Sequence, residues 1–171
     1  MRMRNVCGRL IGLAMMALVG QPELKGVLGE GRWVYQTAQA EKLATQTLEI
    51  VTAQGTHEFR VEVAETERQK AVGLMFRRSL SPMTGMLFPY PEADDLSMWM
   101  RNTYIPLDML FIRADGVIHR VEANAEPHSE TVIRAGAPVT AVLEIPGGEA
   151  SRLGIQAGDK VTHGHFRSAG G

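Results

Sequence analysis

The sequence has one cysteine, Cys7, and it lies ahead of an N-terminal apolar run rather than at that run's end. No disulfide can form within the chain, and no thiol in its body can act as a nucleophile. The lack of free thiols suits an oxidising compartment, and the position of Cys7 does not fit a lipid-attachment site. Enzyme motifs are missing as well: there is no Gly-x-Ser-x-Gly elbow, no His-Glu-x-x-His pair and no phosphate loop. Positive charge is scarce where it would matter. From residue 41 onward there are 13 of the 18 basic and 17 of the 19 acidic residues, a net charge of −4 with no basic stripe. Such a surface is poorly suited to phosphate backbones, so nucleic acid is not an expected partner.

The longest apolar stretch near the N-terminus, Leu10–Val19, is too short for a membrane span of about 20 residues. Preceded by Arg2, Arg4 and Arg9, it has the form of an export signal, with Ala38-Gln39-Ala40 as the cleanest small-x-small cleavage site. Residues 1–40 are therefore expected to be an export signal and linker, and the protein to be periplasmic or secreted, touching a membrane only in transit. Residues 41–171 suit a single domain able to bury one core.

Within that domain the patterning is mainly β. Thr47–Thr52 and His57–Ala64 alternate apolar and polar side chains around a turn at Ala53–Thr56, which predicts a hairpin. Thr66 and Gln69 have the spacing of a capping box and predict a short helix ending near Gly73. Met86–Phe88 reads as a short strand and Pro89–Asp95 as an acidic, proline-interrupted loop. The Asp115-Gly116 turn predicts a hairpin between Leu107–Ile112 and Val117–Glu122. Thr131–Ala135 and Val139–Ile145 read as strands, the latter with Val139, Ala141, Leu143 and Ile145 inward. One helical turn is expected at Glu149–Leu153 and a last strand at Lys160–His165. The architecture expected is one compact β-barrel or jelly-roll-like sandwich of seven or eight mostly antiparallel strands with one or two short helices.

The chain is organised around Ser97–Ile112, SMWMRNTYIPLDMLFI. As a strand, Ser97–Asn102 would place Met98, Met100 and Asn102 on one face. Pro106 fixes its own φ and biases Ile105 toward extended backbone, so Thr103–Pro106 reads as a connection between strands. Asp108 then falls on the same face as Leu110 and Ile112, where an unpaired carboxylate costs several kcal/mol. It needs a partner, either backbone amides at the Thr103–Pro106 turn or a cation from Arg68, Arg77 or Arg101.

These residues carry a family resemblance. Arg68–Arg77 (RQKAVGLMFR) is followed by Gly85-Met86-Leu87-Phe88, by Trp99-Met100-x-Asn102-Thr103-x-Ile105-Pro106-Leu107-Asp108, and by Phe111-Ile112 with Gly116. Later come Val142-Leu143-Glu144-Ile145-x-x-Gly148 and Gly158-Asp159-x-Val161. In this order the chain resembles the domain of unknown function 192 family, also called uncharacterised protein family 0127. Ala71 stands where lysine or glutamine is common, and Arg101 where lysine is common. The resemblance implies a small β-rich domain, often exported, with no assignable reaction.

The candidate ligand-binding residues are Trp99, Arg101, Asn102, Thr103 and Asp108, with Arg77 and Glu144 as further members. An indole face beside amide, hydroxyl and charged groups suits a small polar ligand such as a sugar, or a protein partner; alternatively, Asp108 and Asn102 only tie down the Pro106 turn. Met75, Met86, Met98, Met100 and Met109 could bind Cu(I) as thioethers, but methionine is also an adaptable core filler. His163 and His165 would share one side of a strand. No metal or cofactor is expected. The leading reading is a non-catalytic binding module. The competing one is a hydrolase or lyase using Asp108 with Glu144 or an adjacent cation.

Overall fold

The computed structural model describes residues 43–169. The expected export signal, its cleavage site, Cys7 and the Gly170-Gly171 tail lie outside the described residues.

Strands β1 (Thr45–Thr52) and β2 (Gly55–Val63) form the expected hairpin, in register from Thr45 opposite Glu62 to Thr52 opposite Gly55. Alternation works here because β1 and β2 bury one face, carrying Leu48, Ile50, Phe59 and Val61. The chain then enters helix α1 (Glu67–Val72) through a complete capping box. The Gln69 amide donates to Thr66 Oγ1 at 3.2 Å, and the Thr66 amide donates to Gln69 Oε1 at 2.9 Å. Gly73, at φ 47°, ends the helix where a Cβ would come within 3.1 Å of the Phe88 ring. This crossover delivers β3 (Thr84–Asp94) alongside β2 as the one parallel pair among the described strands.

Two short strands, β4 (Ser97–Met98) and β7 (Ile133–Arg134), pair with each other. The remainder are β5 (Leu107–Ile112), β6 (Ile118–Ala125), β8 (Val139–Pro146) and β9 (Lys160–Thr162), with helix α2 (Glu149–Leu153) between β8 and β9 and a 3-10 turn at Gly164–Ala169. The large sheet has the order β6-β5-β8-β3-β2-β1-β9. It curls so that β9, bonded to β1, also meets the start of β6: Ile118 N donates to Asp159 O at 2.9 Å and Val161 N to Gly116 O at 2.8 Å. The protein is thus mainly β and barrel-like, with two short α-helices among the described residues.

One core, on one face of the sheet, contains Leu48, Phe59, Leu87, Leu110, Leu143 and Ile145. The other contains Met86, Phe88, Met100, Met109, Phe111 and Val142. Each such side chain contributes about 1.5–3 kcal/mol on burial.

Several expected elements differ. Pro89–Asp95 is not a loop through most of its length: β3 runs on to Asp94, with a register shift between Pro89 and Asp94 that accommodates residues lacking an amide donor. Ser97–Asn102 is a strand only as far as Met98. The Met100 amide bonds to Ser129 O and the Met100 carbonyl receives the Thr103 amide, so the chain turns, and Asn102 sits at φ 58°. In β8 the residues between the expected inward ones, Val142 and Glu144, are buried too, because this strand is central and covered on both faces. The last strand stops at Thr162, so His163 and His165 do not alternate along it; His165 Nε2 reaches Thr140 O at 3.0 Å.

Candidate functional site

Asp108 is fully buried on β5. Its Oδ1 accepts the amides of Asn124 (2.8 Å) and Gly148 (2.9 Å), and its Oδ2 accepts that of Ala150 (2.8 Å). Gly148 is the N-cap of α2 and has no side chain to satisfy the first amides, so Asp108 does this from another strand. The helix's partial positive end complements the carboxylate. Gly147 fits only as glycine, since a Cβ there would lie 2.8 Å from Pro106 Cβ and 2.9 Å from Asn124 Oδ1. Pro106, Asp108, Gly147 and Gly148 therefore form one interlock, whose Gly147 amide also bonds to Pro106 O at 3.0 Å. The amide partners lie outside the Thr103–Pro106 turn. None of the three cations considered is used: Arg77 pairs with Glu62, Arg101 stacks on Trp99, and Arg68 lies exposed on α1.

Glu144 stands on β8 opposite Met86 of β3 and Met109 of β5. A single cross-strand row on this face reads Glu62, Met86, Glu144, Met109, Glu122, with a bulge beside Met109 on the β5–β6 side. The two outer carboxylates hold arginines, Glu62 with Arg77 and Glu122 with Arg120. Glu144, 4% exposed, receives no hydrogen bond or ion pair among the described residues. Burial pushes its carboxyl up to about 8 from an ordinary value of 4.5. Met86, Met100 and Met109 are fully buried in the adjoining core, which makes them packing residues, whereas Met75 and Met98 are partly exposed.

The rest of the expected constellation gathers in the loop after β4. Trp99 is 45% exposed, and the Arg101 guanidinium lies 4.2 Å from its ring centroid. Thr103 is buried, with its hydroxyl toward Arg101 O at 3.5 Å, and Asn102 Nδ2 is 4.0 Å from Met75 Sδ. The Asn102 carbonyl receives the Phe76 amide and the Thr103 carbonyl the His128 amide. This brings in residues that sequence reasoning passed over. The Tyr104 ring packs edge-on to Phe76 at 6.1 Å and tilted against His128 at 5.1 Å, with the Arg78 guanidinium 5.9 Å from its centroid. Phe76 (φ 65°), Asn102 (φ 58°) and His128 (φ 63°) all occupy left-handed backbone around it. For a residue as bulky as Phe76 this is an outlier, which the surrounding contacts must hold in place. An exposed aromatic inside a polar loop was the available signal; the meeting of three segments was not encoded in spacing.

Arg77 belongs to another neighbourhood. Its two terminal nitrogens donate to the two oxygens of Glu62 at 2.5 and 2.6 Å, and this bonding raises its already high pKa. Of the seven expected site residues, the structure groups Trp99, Arg101, Asn102 and Thr103. Arg77, next to the Phe76 that bonds to Asn102, is engaged by Glu62, and Asp108 and Glu144 face opposite sides of the sheet.

The fold is a curled β-domain with a helix-capping carboxylate after its Pro-Leu turn and an aromatic loop after β4. The chain belongs to the DUF192 family, described as uncharacterized ACR, whose model matches residues 49–163. Two crystal structures are similar. One is of a protein from Sinorhizobium meliloti 1021 described as a proposed transcription regulator, 43% identical, with a TM-score of 0.72, covering 74% of this chain and 99% of its own. The other is of a protein of unknown function from Novosphingobium aromaticivorans, 44% identical, with a TM-score of 0.71, covering 72% of this chain and 89% of its own. No curated protein matches.

Proposed function

We propose that the protein is an exported, non-catalytic binding module that presents the Trp99–Tyr104 loop, with Phe76 and His128, to a polar ligand bearing a ring or other flat apolar face. The single observation that carries this is the convergence of three non-glycine residues in left-handed backbone on the 41%-exposed Tyr104. Strain of about 1–3 kcal/mol at each such position is retained where the geometry it produces is useful. Trp99 with Arg101, and Tyr104 with Arg78, supply stacking faces beside cations, a combination suited to sugars and similar small polar molecules.

The carboxylate-enzyme alternative has less support. Both Asp108 oxygens are engaged by amides, and Glu144 lies on the opposite face. The regulator description of the Sinorhizobium protein is not extended to this chain, whose charge from residue 41 onward is −4. Export rests on the Arg-rich leader and Leu10–Val19, and intact mass from the native host checks it: a full-length cytoplasmic product would overturn it.

Binding is tested by screening saccharides and other small polar compounds by thermal shift, with tryptophan emission as a second signal because Trp99 is half-exposed. A ligand of the loop raises the melting temperature of wild type and does so far less for Tyr104→Ala. A turnover activity lost in a folded Asp108→Asn variant would replace the binding reading with the enzymatic one.

A further inference from the structure

A pocket of about 330 Å³, to whose lining none of Phe76, Trp99–Tyr104 or His128 contributes, has a chemistry that points to a different ligand. Its floor is the outer part of the sheet, with Thr45 on β1, Arg60 and Glu62 on β2, and Thr84 on β3; its wall is the 77–81 segment, with Arg77, Ser79 and Ser81. The volume lies at the small end of ligand sites.

The polar groups divide into committed and free. Glu62 is the one carboxylate in the lining, and both its oxygens are taken by Arg77. That pairing fixes the orientation of the Arg77 guanidinium while leaving its Nε–H and one N–H on each terminal nitrogen, since five are present and the ion pair uses two. Thr84 Oγ1 donates to Ser81 O at 2.6 Å, which ties the wall to the floor. The Arg60 guanidinium forms no hydrogen bond or ion pair among the described residues, its backbone amide donating to Met83 O at 3.0 Å, and the hydroxyls of Ser79, Ser81 and Thr45 form none either. The pocket thus has one net positive charge and an excess of unused donors. Leu80 adds a single apolar wall.

We propose that this pocket binds a small oxyanion, a carboxylate or phosphate group on a compact organic molecule, with Arg60 as its principal charge partner, Arg77 as a fixed donor and Ser79 and Ser81 as hydroxyl donors. Planar guanidinium forks match the two oxygens of such groups, and hydrogen bonds between ions are about twice as strong as neutral ones. Glu62 then has a positioning role: it holds Arg77 in one rotamer so that less side-chain freedom is lost on binding.

Calorimetric titration of the full chain with succinate and with inorganic phosphate at constant ionic strength tests this, alongside Arg60→Gln and, as a control elsewhere on the surface, Arg68→Gln. Both arginines are exposed, so neither change threatens folding. Saturable binding of either probe, weakened at least tenfold in Arg60→Gln and unchanged in Arg68→Gln, is expected. Succinate binding alone identifies a carboxylate site, phosphate binding alone a phosphate site, and binding of both a general oxyanion site. Absence of saturable binding by both probes, or equal binding by wild type and Arg60→Gln, overturns the proposal. A Tyr104→Ala variant should bind the probes like wild type, which keeps this result independent of the fate of the aromatic-loop reading.

Discussion

Asp108 and Glu144 lie on adjacent strands one register step apart, and the pleat sends them to opposite faces of the sheet: Asp108 is opposite Ile145, while Glu144 is opposite Met109. They cannot act as a pair. Each is nevertheless fully or almost fully buried, and they solve that problem in different ways, Asp108 by collecting backbone donors and Glu144 by holding its proton.

For Asp108 the expected cost of Asp108→Asn is about 3 kcal/mol, because an amide nitrogen would face a backbone N–H that the carboxylate now accepts. Denaturant melts measure it. Arg101→Met should add to that loss without coupling, since Arg101 stacks on Trp99 and makes no contact with the carboxylate. A coupling energy above about 1 kcal/mol would restore the cation pairing that the structure lacks.

For Glu144 the expectation concerns pH. The folded-state pKa, near 8, is above the unfolded value near 4.5, so between these limits the native state binds more protons than the unfolded one. Stability from this group is therefore full below about pH 4.5 and declines through pH 8. The complete loss, above pH 8, is on the order of 5 kcal/mol. Glu144→Gln should flatten that decline and make the variant more stable than wild type at pH 8.5. Parallel slopes for the two proteins would remove Glu144 as the source.

Phe76→Gly tests strain directly. At φ 65° glycine is unhindered, and the Phe76 ring is 58% exposed, so little packing is lost. The substitution should leave stability unchanged or raise it by up to about 1 kcal/mol, while reducing ligand binding at the Tyr104 loop. A loss of 2 kcal/mol or more in thermal or denaturant melts would mean that the ring supports the fold rather than a surface.

Thr66→Ala should cost about 1 kcal/mol, the usual value for an N-cap, because the Gln69 amide loses its acceptor. Thr66→Ser should restore most of it, as urea midpoints would show.

Local chemistry made much of this legible in the sequence. The Thr66–Gln69 box, the Asp115-Gly116 turn and the β1–β2 alternation depend on neighbours within a few residues, and the structure contains all three. The need of Asp108 for a partner could also be argued from Leu110 and Ile112. Its partner could not be named, because Gly148 and Ala150 are about forty residues away and donate through backbone, which no side-chain pattern advertises. Glu144 was visible as a residue but not as a buried one, since alternation assigns it outward and only the covering of β8 on both faces reverses that. The Phe76–Tyr104–His128 cluster was out of reach for the same reason: three segments meet there through main-chain bonds.

The bonds that join Gly116–Ile118 to Asp159–Val161 have a consequence for the behaviour of the molecule among its copies. An open seven-stranded sheet presents two rows of unpaired amides and carbonyls, each a template for another chain. Here β9 occupies the free side of β1 and is in turn bonded by the hairpin that begins β6, so at this corner neither outer strand offers a bare edge. Three residues, Lys160–Thr162, thus cover Glu49–Val51 of β1, including the exposed Val51, and so act against aggregation at this corner of the curled sheet.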